Sequence, residues 1–189
     1  KNDGFVDFTK TVLDAAIAAK AKDLQAVMSL AINGVSVETM IIEQVAKIGE
    51  KITLSHYLPI EAPATYAYVH PGNRMASVVG LSKTGYDEEG KEMAMQVIAG
   101  RPVALNKATV PAEVIEREME VYRGQVREEG KPENMVEKIA EGKLNKFFKE
   151  STLLSQEYTR EAKVSVEEHL KKIDKDLTVT AFQRAELGE

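Results

Sequence analysis

Apolar side chains recur at helical spacing through roughly the first 50 residues. Intervals of three and four place them on one face of each of three successive helices. Asp3 and Ser36 are candidate N-caps, because short polar side chains accept hydrogen bonds from the first helical turn. Asn33-Gly34 closes the second helix, and Gly49 predicts a left-handed end to the third. The expected apolar faces are Phe5, Phe8, Val12, Ala15, Ala16 and Ala19 in the first helix and Val37, Met40, Ile41, Val45 and Ile48 in the third.

After Gly49 the pattern changes from a helical period to a period of two. Apolar and polar residues alternate over residues 52–60, which predicts a half-buried β-strand. Pro59 and Pro63 mark the end of this stretch, because proline cannot donate a hydrogen bond to a neighbouring strand. They also predict the boundary between an N-terminal subdomain, residues 1–60, and a C-terminal subdomain, residues 61–189.

The pattern in the C-terminal subdomain predicts strands interspersed with helices. Two short apolar runs flank Pro71-Gly72-Asn73, a combination that is typical of the turn in a β-hairpin. A later helix stops at Gly100, and Pro102 supports that limit because proline cannot continue a helix. The expected elements are strands at 65–70 and 74–82, helices at 87–99 and 166–173, and a final strand at 177–183.

Residues 111–149 predict two helices that pair as an antiparallel hairpin. Apolar residues step by four, three and four along the first helix, which is the spacing of a coiled-coil seam. Gly130 allows a left-handed helix end, and Pro132 suits the first turn of the returning helix. Because the outward face is mostly charged, the hairpin should project as an arm. The seam residues are Ile115, Met119, Tyr122 and Val126 on one helix and Val136, Ile139, Ala140, Leu144 and Phe147 on the other.

Together these patterns predict an α+β fold. Each of the two subdomains is expected to combine a small antiparallel sheet with flanking helices, and the projecting helical hairpin belongs to the second. A chain of 189 residues is long enough for two small domains and can bury a substantial core.

The composition excludes several classes of function. A net charge of −5 argues against a dedicated nucleic-acid binder, which is usually basic. No apolar run approaches the length of a membrane span, so membrane binding is not expected. The absence of cysteine removes disulfides, thiolate nucleophiles and cysteine-based zinc sites, and it fits a cytoplasmic protein.

The sequence contains no recognisable catalytic, nucleotide-binding or metal-binding constellation. It has neither a phosphate-binding Gly-x-x-x-x-Gly-Lys-Ser/Thr loop nor a Gly-x-Ser-x-Gly nucleophile elbow. The three histidines lack the spacing of a helical zinc site. We therefore expect no cofactor, no directly bound nucleotide, no metal and no enzymatic activity.

The three histidines differ in their expected surroundings. His56 lies on the apolar face of the predicted strand at 52–60, so we expect a packed core histidine. His169 lies on a highly charged helix and should be solvated. The pattern alone favours a structural role for His70, although recognition residues often lie at such a strand end before a turn.

Several motifs occur in an order that is typical of one family. The step Lys47-Ile48-Gly49-Glu50 from helix to strand is followed by Tyr68-Val69-His70 and by an apolar strand that begins at Arg74. The turn Gly130-Lys131-Pro132 and the Glu-Gly-Lys-x-x-Lys-Phe run at 141–147 come next. In this order the motifs resemble bacterial translation elongation factor Ts, and the resemblance covers nearly the whole chain.

The resemblance implies a function in translation elongation. Members of this family are guanine nucleotide exchange factors that promote GDP release from elongation factor Tu, and they act by binding, without covalent chemistry. By the same resemblance, the partner-binding residues are Ile48, Gly49 and Glu50 at the helix corner, and His70 and Arg74 at the strand ends. Partner contact at the corner is compatible with structural roles for Ile48 as a core residue and Gly49 as a helix stop.

The resemblance also indicates the core, or dimerisation, region of the family. Members ordinarily begin with a small helical domain like a ubiquitin-associated domain. A Thr-Asp-Phe-Val-Ala segment follows, whose aspartate and phenylalanine insert beside the partner's magnesium site. Residues 1–189 contain neither feature, so we expect this fragment to be impaired in exchange. The alternative is a passive protein-interaction module without exchange activity, and exposed sheet edges also allow two-fold association into a homodimer.

Overall fold

The chain folds as two compact units, Lys1–Pro59 and Ile60–Glu189. The computed structural model describes residues 3–188, and seven α-helices occur within them. The same residues form one two-stranded and one three-stranded antiparallel sheet. This arrangement confirms the predicted α+β class.

The N-terminal unit contains three helices and a short β-hairpin. Its elements are α1 (Asp3–Ala18), α2 (Leu24–Ser29), β1 (Ala31–Ile32), β2 (Val35–Ser36) and α3 (Val37–Ile48). Ser36 caps α3 as predicted, since its hydroxyl accepts from the N–H of Thr39 at 3.1 Å. Asp3 is the first residue of α1, and the residue before it lies outside the described part of the chain. The core of this unit consists of Val12, Ala16, Val27, Val37 and Ile41.

Asn33-Gly34 forms the tight turn between β1 and β2. Their φ angles are 52° and 83°, which is the left-handed backbone required by two-residue turns between antiparallel strands. The sequence predicts only that this pair closes a helix. In the structure α2 has already ended at Ser29, and the pair instead turns a hairpin.

The strand predicted over residues 52–60 does not form, and this prediction is wrong. Residues 51–62 have no regular secondary structure. Ile52, Leu54 and Tyr57 pack against the core of the N-terminal unit, so the segment contributes apolar contacts without the two-residue period of a strand. A strand also needs a neighbour to accept and donate its hydrogen bonds, and none of the described strands pairs with this segment.

The C-terminal unit is built on the three-stranded sheet. Its elements are β3 (Ala64–Val69), β4 (Met75–Leu81), α4 (Asp87–Gly100), a 3₁₀ turn (Lys107–Thr109), α5 (Ala112–Glu128), α6 (Glu133–Ser151), α7 (Val166–Ile173) and β5 (Val179–Glu186). β4 lies between β3 and β5. Ala64 pairs with Leu81 and Val69 pairs with Ala76, so the hairpin predicted around Pro71-Gly72-Asn73 is formed.

Helix α4 packs closely against the sheet. A Cβ atom at Gly90 would overlap the ring of Tyr66 on β3, so the absence of a side chain allows this approach. The hydroxyl of Ser77 on β4 donates to the carbonyl of Ala94 on α4 at 2.7 Å. The main core cluster of this unit consists of Val79, Leu81, Met93, Ala94, Val97, Leu153, Leu154, Tyr158, Val166, Leu170, Leu177 and Val179.

Asp174 connects the end of α7 to the loop before α4. Its carboxylate accepts from the ammonium of Lys83 at 2.7 Å and from the hydroxyl of Tyr86 at 2.6 Å. The hydrogen bond from Lys83, and then that from Tyr86, hold the pKa of the Asp174 carboxyl well below its usual range. The ionised carboxylate therefore stabilises the native state, and its contribution is lost as the pH falls from about 4 toward the lowered pKa.

Two histidines lie in surroundings that differ from the prediction. His56 is exposed, with Nδ1 at 2.9 Å from the hydroxyl of Ser55, because no strand forms to bring it onto a buried face. The side chain of His169 is only 18% exposed. Its ring stacks on Tyr158 with centroids 4.1 Å apart, and its Nδ1 lies 3.3 Å from a carboxylate oxygen of Glu161. The charged sequence of this helix predicts a solvent-exposed histidine, but the loop before the helix covers the side chain.

Helices α5 and α6 form the predicted antiparallel hairpin. Pro111 and Pro132 immediately precede the two helices, and Gly130 in the turn has a φ of 71°. Ion pairs link the helices on their exposed sides. The buried seam residues are Met119, Val126, Val136 and Ala140. The ion pairs are Arg123–Glu137 at 2.7 Å, Arg127–Glu133 at 2.8 Å and Lys143–Glu129 at 2.6 Å.

The base of this hairpin, and not its tip, packs on the rest of the unit. Phe148 is buried against Ala104 and Val110, whereas the sequence predicts its neighbour Phe147 on the seam. Most residues between 119 and 142 other than the seam are exposed. The hairpin therefore projects as an arm, as the sequence predicts.

Candidate functional site

The predicted corner residues lie at the end of α3. Ile48 is the last helical residue and is half-buried, while Gly49 and Glu50 are exposed. Gly49 has a φ of 80°, and its N–H donates to the carbonyl of Val45 at 2.8 Å. A Cβ at this position would meet no atom within 4 Å, so the backbone conformation, and not crowding, favours glycine. The corner offers a partner an apolar side chain, accessible backbone and a carboxylate.

His70 and Arg74 lie at the two ends of the turn between β3 and β4. The N–H of His70 donates to the carbonyl of Met75 at 2.9 Å, and that of Asn73 donates to the carbonyl of His70 at 3.0 Å. Asn73 has a φ of 56°, which asparagine tolerates better than most residues. The carbonyl of Arg74 accepts from the N–H of Leu187 at 2.8 Å. The backbone of the turn is thus held at both ends, while Arg74 is exposed.

The imidazole of His70 contacts the side chain of Tyr68. Nδ1 of His70 lies 3.3 Å from the hydroxyl oxygen of Tyr68, and the rings meet edge to face with centroids 6.0 Å apart. Within residues 3–188, the one buried side-chain nitrogen or oxygen without a hydrogen bond is Nε2 of His169. Nε2 of His70 makes no hydrogen bond to the described residues and is not that buried atom, so it is accessible to solvent.

The predicted site residues fall into two groups. Residues 48–50 are contiguous in the N-terminal unit, and His70 and Arg74 share one turn of the C-terminal unit. Reasoning from the sequence placed Tyr68 in a family motif but did not name it as a site residue. The signal is nevertheless present, because residues two apart on a strand lie on the same face. The assignment of these residues to a partner-binding site stays a prediction.

Titratable groups elsewhere in the C-terminal unit contribute to its internal packing. Burial, and then a hydrogen bond to Glu92, raises the pKa of Tyr158. Arg160 pairs with the same carboxylate. Residues 3–188 hold no group of three or more histidine, aspartate or glutamate side chains arranged for a metal ion. In this part of the chain, no helix combines the length and apolar composition needed to cross a membrane.

Comparison with known proteins decides the family. The family model described as elongation factor TS matches residues 1–189. The chain belongs to the elongation factor Ts family. Elongation factor Ts of Christiangramia forsetii is 41% identical over 190 residues, which cover 100% of this chain and 69% of the relative. The proteins of the same name from Azobacteroides pseudotrichonymphae and Amoebophilus asiaticus are 36% and 39% identical, again over 100% of this chain and 69% of each relative.

Membership of the elongation factor Ts family confirms the resemblance inferred from the ordered motifs. The family consists of translation elongation factors, so the chain has its role in protein biosynthesis. The share of each relative that it covers, 69%, is consistent with the predicted core region.

Proposed function

We propose that this chain binds elongation factor Tu and acts in guanine nucleotide exchange, promoting the release of GDP from that partner. The observation that carries the proposal is membership of the elongation factor Ts family over residues 1–189. The exposed corner at residues 48–50 and the turn that bears His70 and Arg74 supply the contacts. The proposed location is the cytoplasm, where translation takes place.

Exchange of this kind needs binding energy and no covalent step. A nucleotide complex with a nanomolar dissociation constant corresponds to about 12 kcal/mol. A factor promotes nucleotide release when it binds the nucleotide-free state more tightly than the GDP-bound state, and the coupling between the two ligands is reciprocal. A shift of about 10⁴-fold requires about 5.5 kcal/mol of differential contact. Several modest contacts at the corner and the turn together contribute part of that amount.

Residues 1–189 alone are expected to bind nucleotide-free elongation factor Tu but to accelerate GDP release poorly. In the family, an aspartate and a phenylalanine of the Thr-Asp-Phe-Val-Ala segment supply part of the differential contact, and residues 1–189 do not contain that segment. We expect stimulation at least about tenfold below that of a full-length elongation factor Ts, since about 1.4 kcal/mol is a factor of ten in rate. Stopped-flow release of a fluorescent GDP analogue measures the rate, and calorimetric titration measures binding.

The same experiment separates exchange from a second candidate function. The charged, projecting hairpin of α5 and α6 favours a passive protein-interaction module. Binding with no acceleration at all would support that candidate. Stimulation equal to that of the full-length factor would contradict the expected impairment, and the absence of any binding would refute the proposal.

Ile48→Ala is expected to weaken binding of nucleotide-free elongation factor Tu at least about fivefold, because truncating an interface anchor costs more than about 1 kcal/mol. Ile48 is half-buried, so the loss of stability should stay below the about 2–5 kcal/mol of a fully buried isoleucine. Ile42→Ala is the matched control, because Ile42 lies on the same helix and is 64% exposed. Partner titration and calorimetric melting are compared. A large loss of melting temperature with unchanged affinity per folded molecule would assign Ile48 to the core alone.

A further inference from the structure

Tyr68 and His70 lie two residues apart along β3 and the start of its turn, so both side chains lie on the same face. The ring of Tyr68 packs against the main core cluster of the C-terminal unit, which fixes its position. Its hydroxyl oxygen lies 3.3 Å from Nδ1 of His70, and the two ring planes are inclined by 72°. A core-anchored side chain therefore meets the imidazole both in an edge-to-face ring contact and at hydrogen-bond distance.

The chemistry of this contact selects one tautomer of His70. A phenol hydroxyl is a good donor but a poor acceptor, because its lone pairs are delocalised into the ring, whereas an unprotonated imidazole nitrogen is a strong acceptor. This asymmetry favours the arrangement in which the hydroxyl of Tyr68 donates to an unprotonated Nδ1 of His70. The ring proton of the neutral imidazole then lies on Nε2, which is accessible to solvent. His70 in this state presents an N–H donor to its surroundings.

We propose that Tyr68 is a positioning residue that holds His70 in this tautomer and orientation, so that Nε2–H donates to an acceptor oxygen on elongation factor Tu. The inference rests on the proposed function, and it adds a residue that acts through His70 without touching the partner. The matching group on the partner is a carbonyl or carboxylate oxygen. Arg74, at the other end of the same turn, is exposed and suits a carboxylate as well.

The first test needs no partner. Tyr68→Phe removes the hydroxyl and keeps the ring that packs against the core. Nitrogen-15 NMR of the imidazole in the free protein should show a single tautomer with the proton on Nε2, and a mixture of tautomers in Tyr68→Phe. An unchanged nitrogen spectrum in the variant would overturn the inference, because the hydroxyl would then have no influence on the ring.

Tyr66→Phe is the matched control. Tyr66 lies on the same strand and the same face, and its hydroxyl donates to Asp87 at 2.8 Å, away from His70. This variant loses one tyrosine hydroxyl and its hydrogen bond, as Tyr68→Phe does. We expect its His70 spectrum and its partner affinity to match those of the unaltered chain.

The second test measures binding of nucleotide-free elongation factor Tu. Tyr68→Phe should weaken it about three- to tenfold, the range expected for one hydrogen bond of this kind. In a His70→Ala background, Tyr68→Phe should have no further effect, since Tyr68 acts only through His70. Two outcomes would overturn the inference but leave the proposed function standing. In the first, Tyr68→Phe lowers the affinity equally with and without His70→Ala. In the second, His70→Ala lowers the affinity but Tyr68→Phe does not. Failure of the unaltered chain to bind would refute the proposed function, and the inference with it.

Discussion

Leu170→Ala is expected to lower the free energy of unfolding of the C-terminal unit by about 2–5 kcal/mol, the cost of removing a buried leucine and leaving a cavity. Leu170 is 0% exposed and belongs to the main core cluster. Helix α7 has only eight residues, and Val166 and Leu170 are its two buried residues, so the core contact of Leu170 is one of its main attachments. Urea unfolding followed by tyrosine fluorescence is the measurement, because five of the six tyrosines lie in this unit.

Ile173→Ala is the control for that substitution. Ile173 ends the same helix, has the same number of side-chain carbons as leucine and is 42% exposed. Surface substitutions of this kind usually change stability by no more than about 0.5 kcal/mol. Equal losses in the two variants would mean that α7 depends on general helix propensity and not on the core contact of Leu170.

Elements with strong local signals are predictable from the sequence alone. The pattern predicts a helix at 166–173, and α7 spans Val166–Ile173. Its start is defined by a capping box. The hydroxyl of Ser165 accepts from the N–H of Glu168 at 3.2 Å, and the Glu168 carboxylate accepts from the N–H of Ser165 at 2.8 Å. Every group in this signal lies within four residues, so no distant contact is needed to read it.

Features that depend on a distant neighbour are not predictable in this way. The alternation at 52–60 correctly indicates that Ile52 and Leu54 contact the core, but Tyr57 packs there as well, His56 is exposed, and none of the described strands lies beside the segment. β5 extends past the predicted limit at residue 183, because β4 offers partners along its whole length and Met75 pairs with Glu186. In both cases the formation or the length of a strand depends on whether the rest of the chain supplies a neighbouring strand.

The sequence predicts which residues belong to the candidate site but not the contacts between them. The family motifs supply residues 48–50, His70 and Arg74, and the helix-stop signal at Gly49 also predicts its left-handed backbone. The contact between Tyr68 and His70 requires the fold, because the core must first fix the tyrosine ring before its hydroxyl can orient the imidazole. Spacing on a strand brings the two side chains to one face but does not determine their hydrogen bond.

Val126→Asp is expected to unfold the tip of the hairpin formed by α5 and α6 while the three-stranded sheet remains folded. Val126 is 0% exposed on the seam, and an unpaired carboxylate in its place would cost several kcal/mol beyond the lost apolar burial. Two helices of about two heptads each cannot stay helical without pairing. Hydrogen exchange followed by mass spectrometry should show lost protection in peptides from residues 119–142 and retained protection in β4.

Val121→Asp provides the matched control, because Val121 lies on the same helix but is 47% exposed. It should keep the protection of the tip, since its carboxylate remains in water. The ion pairs between the helices cannot rescue Val126→Asp, because exposed pairs such as Arg127–Glu133 are screened by water and contribute little to stability. Loss of protection in β4 together with the tip would show that the hairpin belongs to the cooperative core and is not an independent arm. Only Phe148 and the residues around it, which pack on Ala104 and Val110, should keep the base of the hairpin attached to the folded unit.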